Sequence, residues 1–374
     1  MNNELCRLTG ADFPLFAFSH CRDVVAAVSR AGGFGVLGGS SFTPESLEVE
    51  LAWIDAHVDG KPYGVDFVVP EKQAASSEIG TEELIARIPQ AHRDFVLDLL
   101  ARHDVKLDAD SVVNRRRPPT LPDIGEALME VAFRHPIRLI ANALGIAPAS
   151  MIERGRAHGV PVAALVGAKE HAVRQVNAGV DIVIAQGTEA GGHCGEVSTL
   201  VLVPEVIRAI APIRPVPVLA AGGIMTGGQM AAAMAMGAQG AWTGTVWLAT
   251  TEAETSETIR QKMIEASSRG TVRSPARTGK PCRQLRSAWH DAWESENSPG
   301  PLPMPLMAML SQPALTQVEK AADAGNAKAR ALATYFVGQG VGLVEEVRSA
   351  GAVVQQFKQE FADALAGLLE TIED

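Results

Sequence analysis

The chain has 374 residues, 47% of them hydrophobic and 20% charged, which excludes disorder over the whole length and allows one large or two medium domains. A net charge of −10 disfavours a nucleic-acid binder, which would carry a basic surface. The 4 cysteines are scattered and form no CxxC pair, so neither a disulfide framework nor a metal site is predicted. We expect a protein whose partner is a small molecule.

The amino terminus lacks the basic and apolar regions of a signal peptide. The least polar stretch, residues 230–248, is interrupted by three Gly and one Gln, which is typical of a buried core and not of a membrane span. We therefore predict a cytoplasmic protein without membrane association. The sequence leaves homo-oligomerisation open.

Short apolar runs alternate with helix-length amphipathic segments along the chain. Fully apolar runs of this kind are typical of strands buried on both faces of a parallel sheet. In chain order the predicted strands are 14–18, 33–37, 63–69, 137–141, 161–166, 181–185, 216–220 and 240–243. The predicted helices between them are 22–30, 44–57, 149–158, 168–178, 204–210 and 228–236.

Eight such units fit a (β/α)8 TIM barrel, an α/β fold whose usual length is about 250 residues. A doubly wound open sheet shows the same alternation and remains the alternative. The excess length forms a helical insertion after strand 3, over 71–135, and a helical C-terminal extension over 281–374. We predict a barrel domain over 1–280 that contains the insertion, with the extension packed on the barrel.

Two glycine-rich loops follow strands 7 and 8, where barrels of this class frequently bind phosphate. Gly222 and Gly223 follow strand 7, whereas Thr243, Gly244 and Thr245 follow strand 8. Glycine lets backbone N–H groups approach an anion closely, and the two threonines add hydroxyl donors. The alternative is that the glycines only form tight turns, but two such loops in the right order favour a phosphate cradle.

The loop after strand 6 carries His193 among glycines. An imidazole can accept a proton near neutral pH, and small neighbours leave room for a ligand beside it. A histidine in a turn can equally serve only as a hydrogen-bonding residue. This loop alone does not decide between the two interpretations.

At these loops the sequence resembles the nitronate monooxygenase family, formerly called 2-nitropropane dioxygenases, which are FMN-dependent barrels. The matching motifs are Gln-Gly-Thr-Glu-Ala-Gly-Gly-His at 186–193, Ala-Ala-Gly-Gly-Ile at 220–224 and Met-Gly-Ala-Gln-Gly-Ala-Trp-Thr-Gly-Thr at 236–245. Ala-Gly-Gly-Phe-Gly-Val-Leu-Gly at 31–38 and Gly-Gln-Gly-Val-Gly at 338–342 extend the match. Together they cover most of the barrel in the right order.

The resemblance implies a role for each matched position. His193 would be the catalytic base. The implied FMN-binding residues are Asp66, Gln186, Gly191, Gly223, Gly244 and Thr245, with Gly222 and Thr243 included as their neighbours. Two positions depart from the family pattern: Ala-Phe-Ser-His at 17–20 replaces Gln-Ala-Pro-Met, and Asp66 replaces the usual Asn. Phe18 and His20 are therefore the candidate substrate-pocket residues.

The leading hypothesis is an FMN-dependent oxidoreductase that oxidises alkyl nitronates or nitroalkanes with O2 to a carbonyl compound and nitrite. The alternative is an NAD(P)H-dependent flavin reductase acting on a quinone, an enoyl thioester or another acyl-CoA substrate. The cluster Arg115, Arg116 and Arg117 in the insertion could contact a phosphorylated substrate, although a solvated turn explains it at least as well. A barrel without flavin, or a pure binding protein, is the third class.

Overall fold

The computed structural model describes residues 1, 3–69, 80–116 and 122–373. Eight parallel strands close into a barrel in sequential order. They are β1 Leu15–Ser19, β2 Phe34–Gly38, β3 Tyr63–Phe67, β4 Ile140–Asn142, β5 Val162–Val166, β6 Ile182–Gln186, β7 Val218–Ala221 and β8 Gly240–Thr243. The predicted (β/α)8 TIM barrel is confirmed, and the open sheet is excluded because β8 pairs with β1.

The helices of the described residues surround this barrel and extend beyond one end of it. They are α1 Glu4–Thr9, α2 Arg22–Arg30, α3 Pro44–His57, α4 Thr81–Ala86, α5 Gln90–Arg102, α6 Pro122–Ala132, α7 Ala149–His158, α8 Lys169–Ala178, α9 Thr199–Ile210, α10 Gly227–Ala235, α11 Thr245–Leu248, α12 Glu257–Glu265, α13 Ala288–Trp293, α14 Leu306–Asp323, α15 Ala327–Leu332 and α16 Ala350–Glu373. Short 3-10 turns cover Gly39–Ser41, Ala109–Ser111 and Gln339–Leu343.

The interior of the barrel is filled by side chains and is not a pore. Phe16, Phe34, Ile184 and Leu219 point inward from four different strands and have no solvent exposure. Their large apolar surfaces stabilise the closed sheet and leave open space only beyond the carboxyl ends of the strands. Barrels of this class carry their active sites at that end.

A second apolar core joins the insertion to the chain beyond the barrel. Leu99 and Leu100 of α5 belong to the same buried cluster as Trp289 of α13 and Leu310 of α14. Within it, the rings of Phe95 and Trp293 meet edge to face with centroids 4.8 Å apart. The insertion is thus split, because α6 packs instead on the barrel with β3 and β4.

Two local predictions are wrong. The helix expected over 204–210 begins five residues earlier, at Thr199, because the Glu189 carboxylate accepts hydrogen bonds of 2.9 and 2.8 Å from the Thr199 amide and hydroxyl. The expected all-helical extension contains one strand of an antiparallel hairpin, β9 Thr271–Ser274 and β10 Cys282–Leu285. The predicted domain boundary at 280/281 falls between these strands, and the division itself remains a proposal.

Helix α16 completes the ring of helices outside the barrel. It packs against α10 and α2, and Phe357 and Phe361 are buried in the cluster that contains Trp247 and Met230. The intervening segment, from α12 to the turn at Gln339–Leu343, lies between β8 and this last barrel helix in the sequence. The extension is therefore held at both of its ends by the barrel.

Candidate active site

A cavity of about 390 Å³ opens at the carboxyl ends of the strands. It is lined by residues from at least six strand ends or following loops and by the segment around residues 335–340. Every predicted site residue lies on its wall: Phe18, His20, Asp66, Gln186, Gly191, His193, Gly222, Gly223, Thr243, Gly244 and Thr245. The structure thus brings together residues that span more than half of the sequence.

The loop after β7 offers unpaired backbone donors. Gly222 and Gly223 adopt φ of +108° and +73°, a region that L side chains rarely enter. A Cβ on Gly222 would also come within 2.8 Å of the Thr199 hydroxyl. Among the described residues the amides of Gly222, Gly223 and Ile224 donate no hydrogen bond. These amides line the cavity without a protein acceptor, and an anion bound there would provide one.

The loop after β8 adds donors from the other side. The Gly244 amide has no backbone acceptor in the described chain, and a Cβ there would meet only open space. The Thr245 hydroxyl accepts a 2.8 Å hydrogen bond from the Gly338 amide, so its own proton remains available to a ligand. These groups begin α11, whose amino terminus favours negative charge.

The expected hydroxyl donor at Thr243 is corrected by the structure. Its hydroxyl donates to the Phe16 carbonyl at 3.0 Å and accepts from the Trp247 indole at 2.9 Å. A hydroxyl has one proton, and that of Thr243 is donated to the Phe16 carbonyl. Thr243 therefore holds β8 to β1 and to α11 and does not offer its hydroxyl proton to a ligand.

The segment after α15 covers the cradle. A Cβ on Gly338 would lie 2.6 Å from the Glu189 carbonyl, and one on Gly340 would lie 2.4 Å from the Met225 side chain. The Gln339 amide also donates to the Glu189 carbonyl at 2.8 Å. This close packing explains the glycines of the 338–342 motif and ties the extension to the loop that carries His193.

His193 is fixed by the hairpin. Its Nε2 lies 2.9 Å from the Thr278 hydroxyl, which in turn donates to the Lys280 carbonyl at 3.0 Å. We assign the Thr278 proton to that carbonyl, and with this assignment Nε2 carries the ring proton and donates to the Thr278 hydroxyl. Nδ1 has no partner among the described residues and is left with its lone pair.

The pKa of His193 also suits a group that accepts a proton. Partial burial of the ring lowers its pKa below the ordinary value of 6.5, and the Lys280 ammonium acts in the same direction. Gly192 holds the loop in place through two backbone hydrogen bonds to Arg283 of β10, 3.0 and 2.8 Å long. The result is a neutral imidazole, exposed to the cavity, with a free nitrogen.

Two polar side chains at the strand ends lack partners. The Asp66 carboxyl, at the end of β3, is only 3% exposed and makes no hydrogen bond or ion pair within the described residues. The Gln186 amide, at the end of β6, also makes none there. His20 differs, since its Nδ1 donates to the Gly38 carbonyl at 3.0 Å, and its ring packs edge to face on Phe18.

Sequence reasoning missed several residues of this site. Thr278, which holds His193, lies in a hairpin that no periodic pattern announces. Tyr335, Phe336 and Met304 line the cavity from the extension. The neighbouring motif at 338–342 was the available signal, because it indicates that this part of the chain returns to the barrel mouth.

The arginine cluster of the insertion lies apart from the cavity wall. Arg115 and Glu82 form an ion pair of 3.4 Å in which both side chains are well exposed. Neither Arg115 nor Arg116 is among the residues that line the cavity. Arg117 lies outside the described residues. An exposed, solvated turn explains Arg115 and Arg116 without a ligand.

Comparison with known proteins identifies the family. The Nitronate monooxygenase family profile matches residues 17–360. The chain belongs to the nitronate monooxygenase family. It is 51% identical over 377 residues to the Mycobacterium tuberculosis protein Rv1533, which is named as a monooxygenase, and the match covers 98% of each chain. The chain is therefore an oxidoreductase of this flavin-dependent family.

Solved structures place this nitronate monooxygenase family member among similar barrels. The nitroalkane oxidase of Streptomyces ansochromogenes superposes with a TM-score of 0.80 at 26% identity, covering 98% of this chain and 100% of that one. FabK of Thermotoga maritima gives 0.72 at 24% identity over 99% of both chains, a likeness of fold alone. None of the described helices has the length and apolar character that a membrane crossing requires.

Proposed function

We propose that this protein is an FMN-dependent nitronate monooxygenase. It would oxidise alkyl nitronates, and nitroalkanes after their deprotonation, with O2 to a carbonyl compound and nitrite. The observation that carries the proposal is the meeting of unpaired phosphate-type donors and a neutral His193 in one cavity. Family membership and the nitroalkane oxidase likeness support it.

The residues present fit FMN. The amides of Gly222, Gly223 and Gly244 and the Thr245 hydroxyl would hold its phosphate, because together they supply donors from two loops. Gln186 and Asp66 would meet polar atoms of the ring system, since both side chains lack partners within the described residues. When bound, FMN supplies the electron acceptor for the substrate and the electron donor for O2.

His193 would remove the α-proton of a nitroalkane. A base must have a lone pair aimed at the substrate and must be neutral at the working pH. Nδ1 meets the first condition because Nε2 is bonded to Thr278, and the lowered pKa of the ring meets the second. Preformed nitronate has already lost this proton and would not need the base.

The remaining cavity wall suits an alkyl group. Leu144, Leu165, Ile224, Leu248 and Phe336 present apolar surface, and no Lys or Arg stands among the described residues that line the cavity. Several phosphates, as in NAD(P)H or coenzyme A, call for cationic partners beyond one backbone cradle. This favours the monooxygenase over the reductase alternative.

Turnover in air tests the proposal. The FMN-loaded protein should release nitrite from an alkyl nitronate and consume O2 at the same time. The same protein with NADH or NADPH and a quinone or enoyl thioester should show no comparable turnover. Nicotinamide-dependent reduction of such an acceptor, without nitrite release from nitronate, would replace the proposal with the reductase.

A further inference from the structure

The Asp66 carboxyl occupies an unusual position for an acidic group. It stands at the carboxyl end of β3, where its residue pairs with Gly38 of β2 and Ala141 of β4, neither of which has a polar side chain. The side chain is 3% exposed and lines the cavity. Nearby, the Ser40 hydroxyl accepts from the Val68 amide at 2.7 Å, and among the described residues it makes no hydrogen bond to Asp66.

A buried carboxyl without a partner is costly when it is charged. Burial is the cause that raises the pKa of Asp66 well above the ordinary value of 3.8, and no cation opposes it. The neutral acid differs chemically from the carboxylate because it has one O–H donor. An uncharged donor in the cavity wall is thus available only while the proton stays on this group.

We propose that Asp66 remains protonated and donates a hydrogen bond to an acceptor atom of the flavin ring system. This inference rests on the proposed function, since it requires FMN in the cavity. It gives Asp66 a positioning role: the side chain fixes the ring through a neutral donor and places no negative charge beside a group that must accept electrons. An Asn at this position would keep the donor and lose the ability to ionise.

The other titratable groups of the cavity leave a pH range in which only the titration of Asp66 is expected. The titratable side chains on the described wall besides Asp66 are His20, His193 and Tyr335. Loss of hydration lowers the pKa of both histidines below 6.5 and raises the pKa of Tyr335 above 10. A pH effect between these limits that disappears in Asp66→Asn therefore belongs to Asp66.

Infrared difference spectroscopy tests the protonation state and the hydrogen bond together. At neutral pH the wild type minus Asp66→Asn difference should contain the carbonyl band of a protonated carboxylic acid. In wild type alone, this band should move to lower frequency when FMN is added, as hydrogen bonding weakens the carbonyl. Asp108→Asn, which removes an exposed carboxyl, is the matched control and should leave the carboxylic acid band unchanged.

FMN binding as a function of pH provides an independent readout. We expect wild-type affinity to fall by about tenfold or more as Asp66 ionises, because its donor becomes an unpaired negative charge. Affinity in Asp66→Asn should stay level over the same range, and Asp66→Ala should bind FMN about fivefold to tenfold more weakly at neutral pH.

The outcomes separate the two proposals. Two outcomes would overturn the inference and leave the proposed function intact. In the first, FMN binds and Asp66 shows a carboxylate band. In the second, FMN binds and the carboxylic acid band of Asp66 does not move. A wild-type protein that does not bind FMN overturns both. If Asp66→Asn does not fold, the band shift in the wild type alone still decides.

Discussion

The chemistry proposed for His193 depends on one nitrogen atom. Thr278 and the Lys280 carbonyl direct the ring proton to Nε2, which leaves Nδ1 as the base. Such second contacts commonly determine which tautomer of a histidine is present. If His193 is the base, the hairpin would contribute to the proposed reaction through the Thr278 hydroxyl, which need not contact the substrate.

Removal of the His193 imidazole should slow turnover of the neutral nitroalkane, which still carries its α-proton, far more than turnover of the nitronate. In His193→Asn we expect kcat/KM for a neutral nitroalkane to fall by about 10²–10⁴-fold, the usual contribution of a positioned base. Turnover of preformed nitronate should change much less. Nitrite release under identical conditions measures both. His171→Asn, an exposed histidine on α8, should leave both rates unchanged.

The two substrates also control for misfolding. A variant that loses both activities to the same extent would show that His193 has no specific role in deprotonation. Retention of bound FMN in His193→Asn would confirm that the cavity is otherwise intact.

The pH profile should show the lowered pKa of His193. A base is inactive when protonated, so kcat/KM for the nitroalkane should fall as the pH drops through the pKa of this group. Burial and Lys280 place that pKa below 6.5, and the midpoint of the fall should therefore lie below pH 6.5. The inflection should be absent in His193→Asn, and a wild-type inflection above pH 7 would contradict the assignment.

At the scale of elements, Thr243 and Thr245 at the end of β8 use their hydroxyl groups differently. The Thr243 hydroxyl donates to the Phe16 carbonyl and accepts from the Trp247 indole, whereas the Thr245 hydroxyl proton is available to a ligand. The sequence suggested a donor role for both, because it shows which residues follow a strand but not where each hydroxyl points. This difference leads to a paired experiment.

Thr245→Val should lower FMN affinity by about 10- to 100-fold, since a hydrogen bond to a charged group contributes about 1.5–3 kcal/mol. Riboflavin, which lacks the phosphate, should bind the variant and the wild type with similar affinity. Thr243→Val should instead reduce thermal stability with little effect on the ratio of FMN to riboflavin affinity. Fluorescence titration measures the affinities of the three proteins for both ligands, and an unchanged ratio in Thr245→Val would exclude the cradle contact.

The barrel could be predicted from the sequence because each strand and helix is indicated by the pattern of apolar residues within its own segment. Helices α2, α3 and α7 match their predicted ranges, and Thr43 caps α3 locally through a reciprocal capping box with Ser46. Strand ends shift by up to three residues, as for β4, because neighbouring strands determine how far pairing extends. The predicted site residues converge because barrel strands all end at the same face.

The missed features depend on contacts distant in sequence. Glu189 starts α9 from another loop, and the hairpin that holds His193 contains polar strands of four residues each. No window of sequence shows that Arg283 pairs with Gly192 or that Thr278 reaches His193. These are tertiary contacts, and local propensity has no access to them.

At the scale of the whole molecule, the barrel depends on its last helix. The Phe357 side chain is 1% exposed and stacks with Trp247 at a centroid distance of 6.4 Å, so it joins α16 to α11, which follows β8. Phe357→Ala should lower the free energy of unfolding by about 3–5 kcal/mol, the usual cost of emptying a buried aromatic site.

Denaturant unfolding followed by tryptophan fluorescence measures this change. Leu368→Ala is the matched control on the same helix, since Leu368 is 54% exposed and its truncation should change stability by no more than about 0.5 kcal/mol. Equal losses in the two variants would mean that α16 contributes through its helicity alone.

The proposed function requires that the cavity hold FMN and that an alkyl nitronate reduce the bound flavin. The most direct measurement is an anaerobic visible titration of the FMN-loaded protein with an alkyl nitronate and, separately, with NADH and NADPH. We predict that nitronate bleaches the flavin absorption and that neither nicotinamide does so at a comparable rate. Rapid bleaching by a nicotinamide with none by nitronate, or a protein that takes up no FMN, would contradict the central claim.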